Sequence, residues 1–187
     1  MRTFIGIDFD DELKKNIFEL QQRLRELAVK GRWKHSDNFH LTLKFLDEID
    51  EKQKMEIDNA LRQISCETKP FELSLSGLGI FPGGDSVRVL WLGVTGDMPE
   101  LKYLQGRIDQ ALEPIGFPKD KRAYRPHITI GQDVVFKLDF DEIKKIIGEV
   151  KLTAFKVNRL FLFKSEQIGY KRVYTKIEEY KLGGERK

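Results

Sequence analysis

Two of the three histidines in this 187-residue chain sit in the same setting. One is His40 in His40-Leu41-Thr42-Leu43, and the other is His127 in His127-Ile128-Thr129-Ile130. On a strand, side chains alternate, so each histidine shares a face with the threonine two positions on, about 6.6 Å away, while the aliphatic pair faces the other way. Each motif thus presents an imidazole beside a hydroxyl. Imidazole, with an ordinary pKa of about 6.5, takes or gives a proton near neutrality. A threonine hydroxyl can hydrogen-bond the non-bridging oxygens of a phosphate. Two such pairs brought together suit in-line displacement at a cyclic phosphodiester, which needs a base on the attacking oxygen and an acid on the leaving oxygen. That chemistry calls for no metal. A single His-x-Thr on a strand is weak evidence, because both residues sit comfortably on a half-exposed sheet face. Two copies say more: packing alone would favour apolar residues at the histidine positions, and titratable pairs in clefts are usually functional. His35 lacks the pattern and reads as a surface loop residue.

The elements that carry the motifs are legible from periodicity. Leu13, Ile17, Leu20, Leu24 and Leu27 mark one face of a helix over 11–28, with Asp10 as its N-cap. Leu101, Leu104, Ile108, Ala111, Leu112 and Ile115 mark another over 101–115, and shorter helices are expected over 51–65 and 139–149. Strand-like runs cover 3–9, 39–46, 71–81, 87–94, 127–130, 152–163 and 172–179, with Pro82-Gly83-Gly84-Asp85 as a turn. After the first strand the order α-β-α-β-β occurs twice. His40 superposes on His127, and Arg88-Val89 on Arg172-Val173, with one short loop change between them. The fold class expected is therefore α+β: two lobes, each a mainly antiparallel sheet backed by helices, related by a pseudo-two-fold axis with the histidine strands facing across a cleft. No linker divides the halves, so residues 1–182 read as a single domain with repeat units at about 10–94 and 95–180, and 183–187 as a frayed tail.

Composition sets bounds on partners. A chain of 21.9 kDa buries roughly 70% of its unfolded surface, enough for one self-standing domain. Thirteen Phe and 40% hydrophobic residues exclude the disordered class. Cys66 has no second cysteine to pair with, which excludes an internal disulfide framework and a thiolate zinc cage. Asp8 comes too early for a signal-peptide core and no run approaches a membrane span, so a cytoplasmic location is expected. With 33 Lys+Arg against 30 Asp+Glu, the net charge of +3 is small for a protein that coats duplex nucleic acid. It leaves room for a local basic cleft that takes a few phosphates. The dense mixed charge also fits a heat-adapted surface or an ordinary solvated one.

The paired tetrapeptides resemble the two HxTx motifs of the 2H phosphoesterase superfamily. The wider text, Arg2-Thr3-Phe4-Ile5-Gly6-Ile7-Asp8, Asn38-Phe39-His40-Leu41-Thr42-Leu43-Lys44-Phe45-Leu46, Gly77-Leu78-Gly79-Ile80-Phe81-Pro82, Arg88-Val89-Leu90-Trp91 and Arg125-Pro126-His127-Ile128-Thr129-Ile130, is similar to the bacterial and archaeal RNA 2′,3′-cyclic phosphodiesterases, also called 2′-5′ RNA ligases. Asp47 departs from the glycine common after the Lys-Phe-Leu run, a change expected to affect a turn. The resemblance implies hydrolysis of an RNA 2′,3′-cyclic phosphate to a 2′-phosphate without a metal or other cofactor. His40 would be the proton donor to the leaving 3′ oxygen and His127 the proton acceptor, with Thr42 and Thr129 holding the phosphate. With a 5′-hydroxyl end as nucleophile, the same site would make a 2′-5′ bond. The partners implied are RNA ends, tRNA halves among them, or nucleotides, with a monomer as the working unit. Two other readings stay open: a phosphodiesterase for a small cyclic nucleotide-type substrate, and a non-catalytic RNA-end binding module.

Four further residues are candidates for substrate binding. Lys44, two positions past Thr42, is expected on the His40 face, where it would meet phosphate or ribose or stand at an exposed strand end. Arg125 is held extended by Pro126 and aimed at the rim, for phosphate or for a surface carboxylate. Trp33, in a polar loop, and Tyr124 are candidates for stacking on a terminal base, with Phe9 and Phe81 behind them. Trp91 reads as core. The carboxylates Asp8, Asp10, Asp11 and Glu12 could suggest a metal site, but capping explains the last three more simply.

Overall fold

The computed structural model describes residues 1–183. Nine strands and four α-helices follow one another as β1 (Arg2–Asp8), α1 (Asp11–Glu26), β2 (Ala28–Trp33), β3 (His40–Glu48), α2 (Glu51–Glu67), β4 (Phe71–Gly83), β5 (Ser86–Gly96), α3 (Met98–Leu112), β6 (His127–Phe136), α4 (Phe140–Ile147), β7 (Phe155–Val157), β8 (Arg159–Ile168) and β9 (Lys171–Lys181). Short 3-10 turns at Ser36–Asn38 and Glu113–Ile115 complete the described elements. The helices form where local signals dictate. Asp10 caps α1 by accepting from the Leu13 N–H, and Asp50 with Gln53 makes a reciprocal capping box on α2. Leu13, Ile17, Leu20 and Leu24 are buried on one side of α1, as the spacing requires.

Both sheets are wholly antiparallel. One has the order β3-β1-β8-β9, the other β2-β6-β5-β4-β7. Omitting β2, the orders β3-β1-β8-β9 and β6-β5-β4-β7 correspond, with a histidine strand leading each. The duplicated α+β architecture is thus present, but the lobes do not coincide with the two halves of the sequence. The His40 strand shares a sheet with β8 and β9 from the C-terminal half, and the His127 strand shares one with β4 and β5 from the N-terminal half. The α2 helix packs on α3 and β9, α3 reaches β3, and α1 packs on β2 and α4. One continuous core joins the layers, including Leu41, Leu43, Ile128 and Ile130 from behind the motifs.

Several features differ from expectation, β6 among them, which runs on to Phe136. α1 stops at Glu26, and β2 takes over because Ala28 to Trp33 finds a partner in β6. The run over 152–163 divides at Asn158: Phe155–Val157 pairs with β4, whereas β8 pairs with β1 and β9 in the other sheet. Asp47 lies within β3 instead of a turn, with φ of 54°, a left-handed conformation that glycine adopts without cost. Gly183 is tied down by its N–H to the Ser65 carbonyl, and 184–187 of the expected tail lie outside the described residues. No helix among the described residues is long and apolar enough to cross a membrane.

Candidate active site

His40 opens β3, and its ring is oriented from both ends. Nδ1 lies 2.7 Å from the Asn38 carbonyl and Nε2 lies 2.8 Å from Thr42 Oγ1. A carbonyl can only accept, so Nδ1 carries the proton, and in the neutral ring Nε2 accepts from the Thr42 hydroxyl. His127 repeats the arrangement at the start of β6, with Nδ1 2.7 Å from the Arg125 carbonyl. In both motifs the carbonyl two residues upstream fixes the tautomer and leaves Nε2 for chemistry. Thr129, half-buried and in register with Trp91, has no hydrogen-bond partner among the described residues.

Aromatic side chains wall both imidazoles. The Tyr174 ring meets His40 edge-on at 5.2 Å and Phe4 lies 4.6 Å away. Phe81 meets His127 edge-on at 5.1 Å, with Trp91 at 6.3 Å. Burial among these neighbours pushes the His40 pKa down to about 4; the Asn38 carbonyl pulls the other way, as does Asp8, while the positive charges of Lys34 and Lys14 push it down further. Asp8 lies opposite His40 in the pairing of β1 with β3. Burial would raise its carboxyl, but hydrogen bonds from Lys14 at 2.8 Å and Lys176 at 2.5 Å outweigh that and hold it below the usual range. Asp8 is therefore an ion-paired residue beside the site. Among the described residues, no group of three His, Cys, Asp or Glu side chains is placed to hold a metal ion.

The two motif strands, β3 and β6, touch each other between the sheets. Tyr124 Oη donates to the Thr42 carbonyl at 2.9 Å, and Gln21 Nε2 donates to the carbonyls of Lys34 and Ile130, each at 2.8 Å. These bonds hold His40 with Thr42, and His127 with Thr129, on adjoining strands.

The other candidates fall elsewhere. Lys44 is not on the His40 face: a register shift between Ile5 and Gly6 of β1 breaks the alternation of β3 after Leu43, so Lys44 is only 8% exposed and Phe45 is 70% exposed. Lys44 Nζ bonds Asp109 Oδ1 at 2.5 Å and the Pro118 carbonyl at 2.9 Å, on the α3 side of the strand. Tyr124 is turned inward to Thr42 instead of outward to a base, and burial raises its phenol pKa. Trp33 ends β2 opposite Gly131, half-buried against the core. Phe9 is core. Trp91 is half-buried across Gly79 and forms part of the His127 wall. Arg125 is exposed and makes no ion pair among the described residues, while His35 is exposed as expected. Phe4, Phe45, Tyr174, Lys34 and Arg172, which surround the His40 side, are not singled out as site residues in the sequence; the folding of distant segments brings them there.

Known proteins resemble this chain in sequence and in fold. A family model described as LigT like Phosphoesterase matches residues 7–91 and 93–174. The chain is 31% identical to a protein of Methanothermobacter thermautotrophicus named RNA 2′,3′-cyclic phosphodiesterase, covering 97% of this chain and 99% of that one. It is 32% identical to the protein of that name from Methanocaldococcus jannaschii, covering 96% of this chain and 100% of the other. Among solved structures, TT0787 of Thermus thermophilus shares the fold with a TM-score of 0.83 and 22% identity over 100% of both chains. E. coli LigT in apo form does so with a TM-score of 0.81 and 23% identity over 98% of both.

Proposed function

Because the chain belongs to the LigT-like phosphoesterase family, we propose that this phosphodiesterase acts on RNA ends, opening a terminal 2′,3′-cyclic phosphate to a 2′-phosphate without a metal. The observation that carries the reading is the doubled imidazole whose Nδ1 is pinned to the carbonyl two residues upstream. His127 Nε2 takes a proton from water as the water oxygen bonds to phosphorus. The bond from phosphorus to the 3′ oxygen breaks, and His40 Nε2 gives its proton to that oxygen. In the free site His40 is neutral at neutral pH. The anionic phosphate raises that pKa, so Nε2 takes up a proton from solvent on binding and then gives it to the leaving oxygen. Thr129 is available for a non-bridging oxygen, and Thr42 turns from Nε2 to another. A 5′-hydroxyl in place of water gives a 2′-5′ linkage by the same steps. Acid and base are both supplied by this one chain, so neither a metal nor a second copy is required.

The test is an oligonucleotide ending in a 2′,3′-cyclic phosphate, incubated in excess EDTA, with the product identified by phosphorus NMR. A 2′-phosphate supports the reading. A 3′-phosphate reverses the oxygen that His40 protonates, and activity lost to EDTA and restored by a divalent ion overturns the metal-free mechanism. His40→Ala and His127→Ala should each lower kcat by about 10²- to 10⁴-fold. Weakened affinity with unchanged turnover would instead mark a binding module.

A further inference from the structure

Positive charge on the His40 side of the cleft is left without an answering carboxylate. Lys34 lies between β2 and the turn that leads into β3. Its backbone is fixed by its N–H to the Ile130 carbonyl at 3.1 Å and by Gln21 at its own carbonyl. Arg172, on β9, is anchored through its carbonyl, which accepts from Asn38 Nδ2 at 2.7 Å. Asn38 is also the residue whose carbonyl orients His40. Both cations therefore sit on the frame that positions the catalytic ring.

The Lys34 ammonium is half-buried and within electrostatic reach of Arg32, Arg172 and His40; burial and the two arginines push its pKa down. Carboxylates on neighbouring elements are engaged elsewhere: Asp133 by Arg32, Asp8 by Lys14 and Lys176, and Asp37 beside His35. Among the described residues, Lys34 and Arg172 form no ion pair. Half-buried Lys34 and the exposed arginines near it repel one another, so the arrangement stabilises an arriving anion more than it stabilises the empty protein.

The strand that carries Arg172 adds a direction. β8 pairs with β9 from Arg159 to Ile168, but β1 covers β8 only from Phe161 to Lys164. The rest of the hairpin projects as a two-stranded arm from the His40 wall at Tyr174, past Arg172, to a fully exposed Tyr170.

We propose that Lys34 and Arg172 form a second anion subsite, separate from the His-Thr quartet, that takes the phosphodiester joining the terminal nucleotide to the one before it. The site then prefers a polynucleotide end to a cyclic mononucleotide, which has no second phosphate. This rests on the RNA-end reading above. The reacting phosphate is served by the two imidazoles and two hydroxyls, and further cations along the arm suit the next negative charge of the same strand.

The test compares a 2′,3′-cyclic mononucleotide, a trinucleotide with the same end, and that trinucleotide with a neutral methylphosphonate in the linkage next to the terminal ribose. Wild type, Lys34→Met and Arg172→Met are each assayed for kcat/KM. The quantity read is the ratio of trinucleotide to mononucleotide, which cancels any effect of Lys34 on His40. Wild type should favour the trinucleotide, and each variant should lower the ratio about tenfold. The methylphosphonate should lower it similarly for wild type and leave the variants unmoved. A ratio unaffected by either substitution overturns the proposal, as does an equal loss on both substrates, which would assign the cations to the reacting phosphate. Failure of the underlying reading is distinguishable, because wild type would then turn over none of the three.

Discussion

The phenol of Tyr124 donates to the carbonyl of Thr42 at 2.9 Å, joining the segment that enters one histidine strand to the strand of the other. Tyr124→Phe keeps the ring and deletes the bond. Stability should fall by about 1 kcal/mol, and kcat should fall several-fold with KM little changed, since the motifs lose a tether between them. Denaturant unfolding and steady-state kinetics check this; reduced stability with unaltered kcat would confine the bond to folding.

Lys44 and Asp109 form a nearly enclosed ion pair at 2.5 Å, their side chains 7% and 13% exposed. Lys44→Met or Asp109→Asn leaves one partner buried and unanswered, at a cost of about 3–5 kcal/mol. The double replacement Lys44→Met with Asp109→Leu should restore much of the loss. Urea unfolding of the three variants measures it, and the double variant should retain KM, because neither residue lines the cleft.

His40 links stability to acidity. Its pKa falls from 6.5 to about 4 on folding, so between those values the unfolded chain binds more protons than the folded one. Stability is fully present above pH 6.5 and declines as pH drops toward 4, by about 3 kcal/mol in all. His40→Gln should flatten that part of a stability-against-pH curve. Lys34→Met, which removes a positive charge, should move the lower end of that decline to higher pH.

Gly79 allows Trp91 to lie across β4. A Cβ at this position would come 2.1 Å from the indole, so Gly79→Ala forces the ring aside. The expected cost is about 1–3 kcal/mol, with a changed tryptophan emission spectrum and reduced turnover as the His127 wall shifts. Unchanged emission and activity would show that the indole has room to move.

What could be read ahead of the structure was what depends on residue type and short-range period. The helices were legible because Asp10 and the aliphatic spacings act locally, and the His-x-Thr pairs because a two-residue period puts them on one face. β2 was not, since Ala28 to Trp33 lacks a strand-like pattern and becomes a strand only by pairing with β6. Nothing local divides 152–163 at Asn158; the two ends simply find different sheets. Lys44 was misplaced by the bulge after Thr42, which moves the side chains that follow it, as far as the next register shift, to the other face. Arg172 stood out only as a marker of the duplication and Lys34 not at all, because their interest lies in carboxylates that are engaged elsewhere, and distant pairing decides that.

The exchange of strands between halves also bears on how the chain is made. Phe4 leaves the ribosome long before Phe163, its neighbour in the finished sheet, so one flank of β1 must wait with its hydrogen-bonding groups unanswered. Translation thus delivers His40 early, while the Tyr174 wall beside it is supplied much later. A prematurely terminated polypeptide would carry the first motif with an open sheet edge and an incomplete cleft, recognisable to a chaperone or protease and catalytically inert.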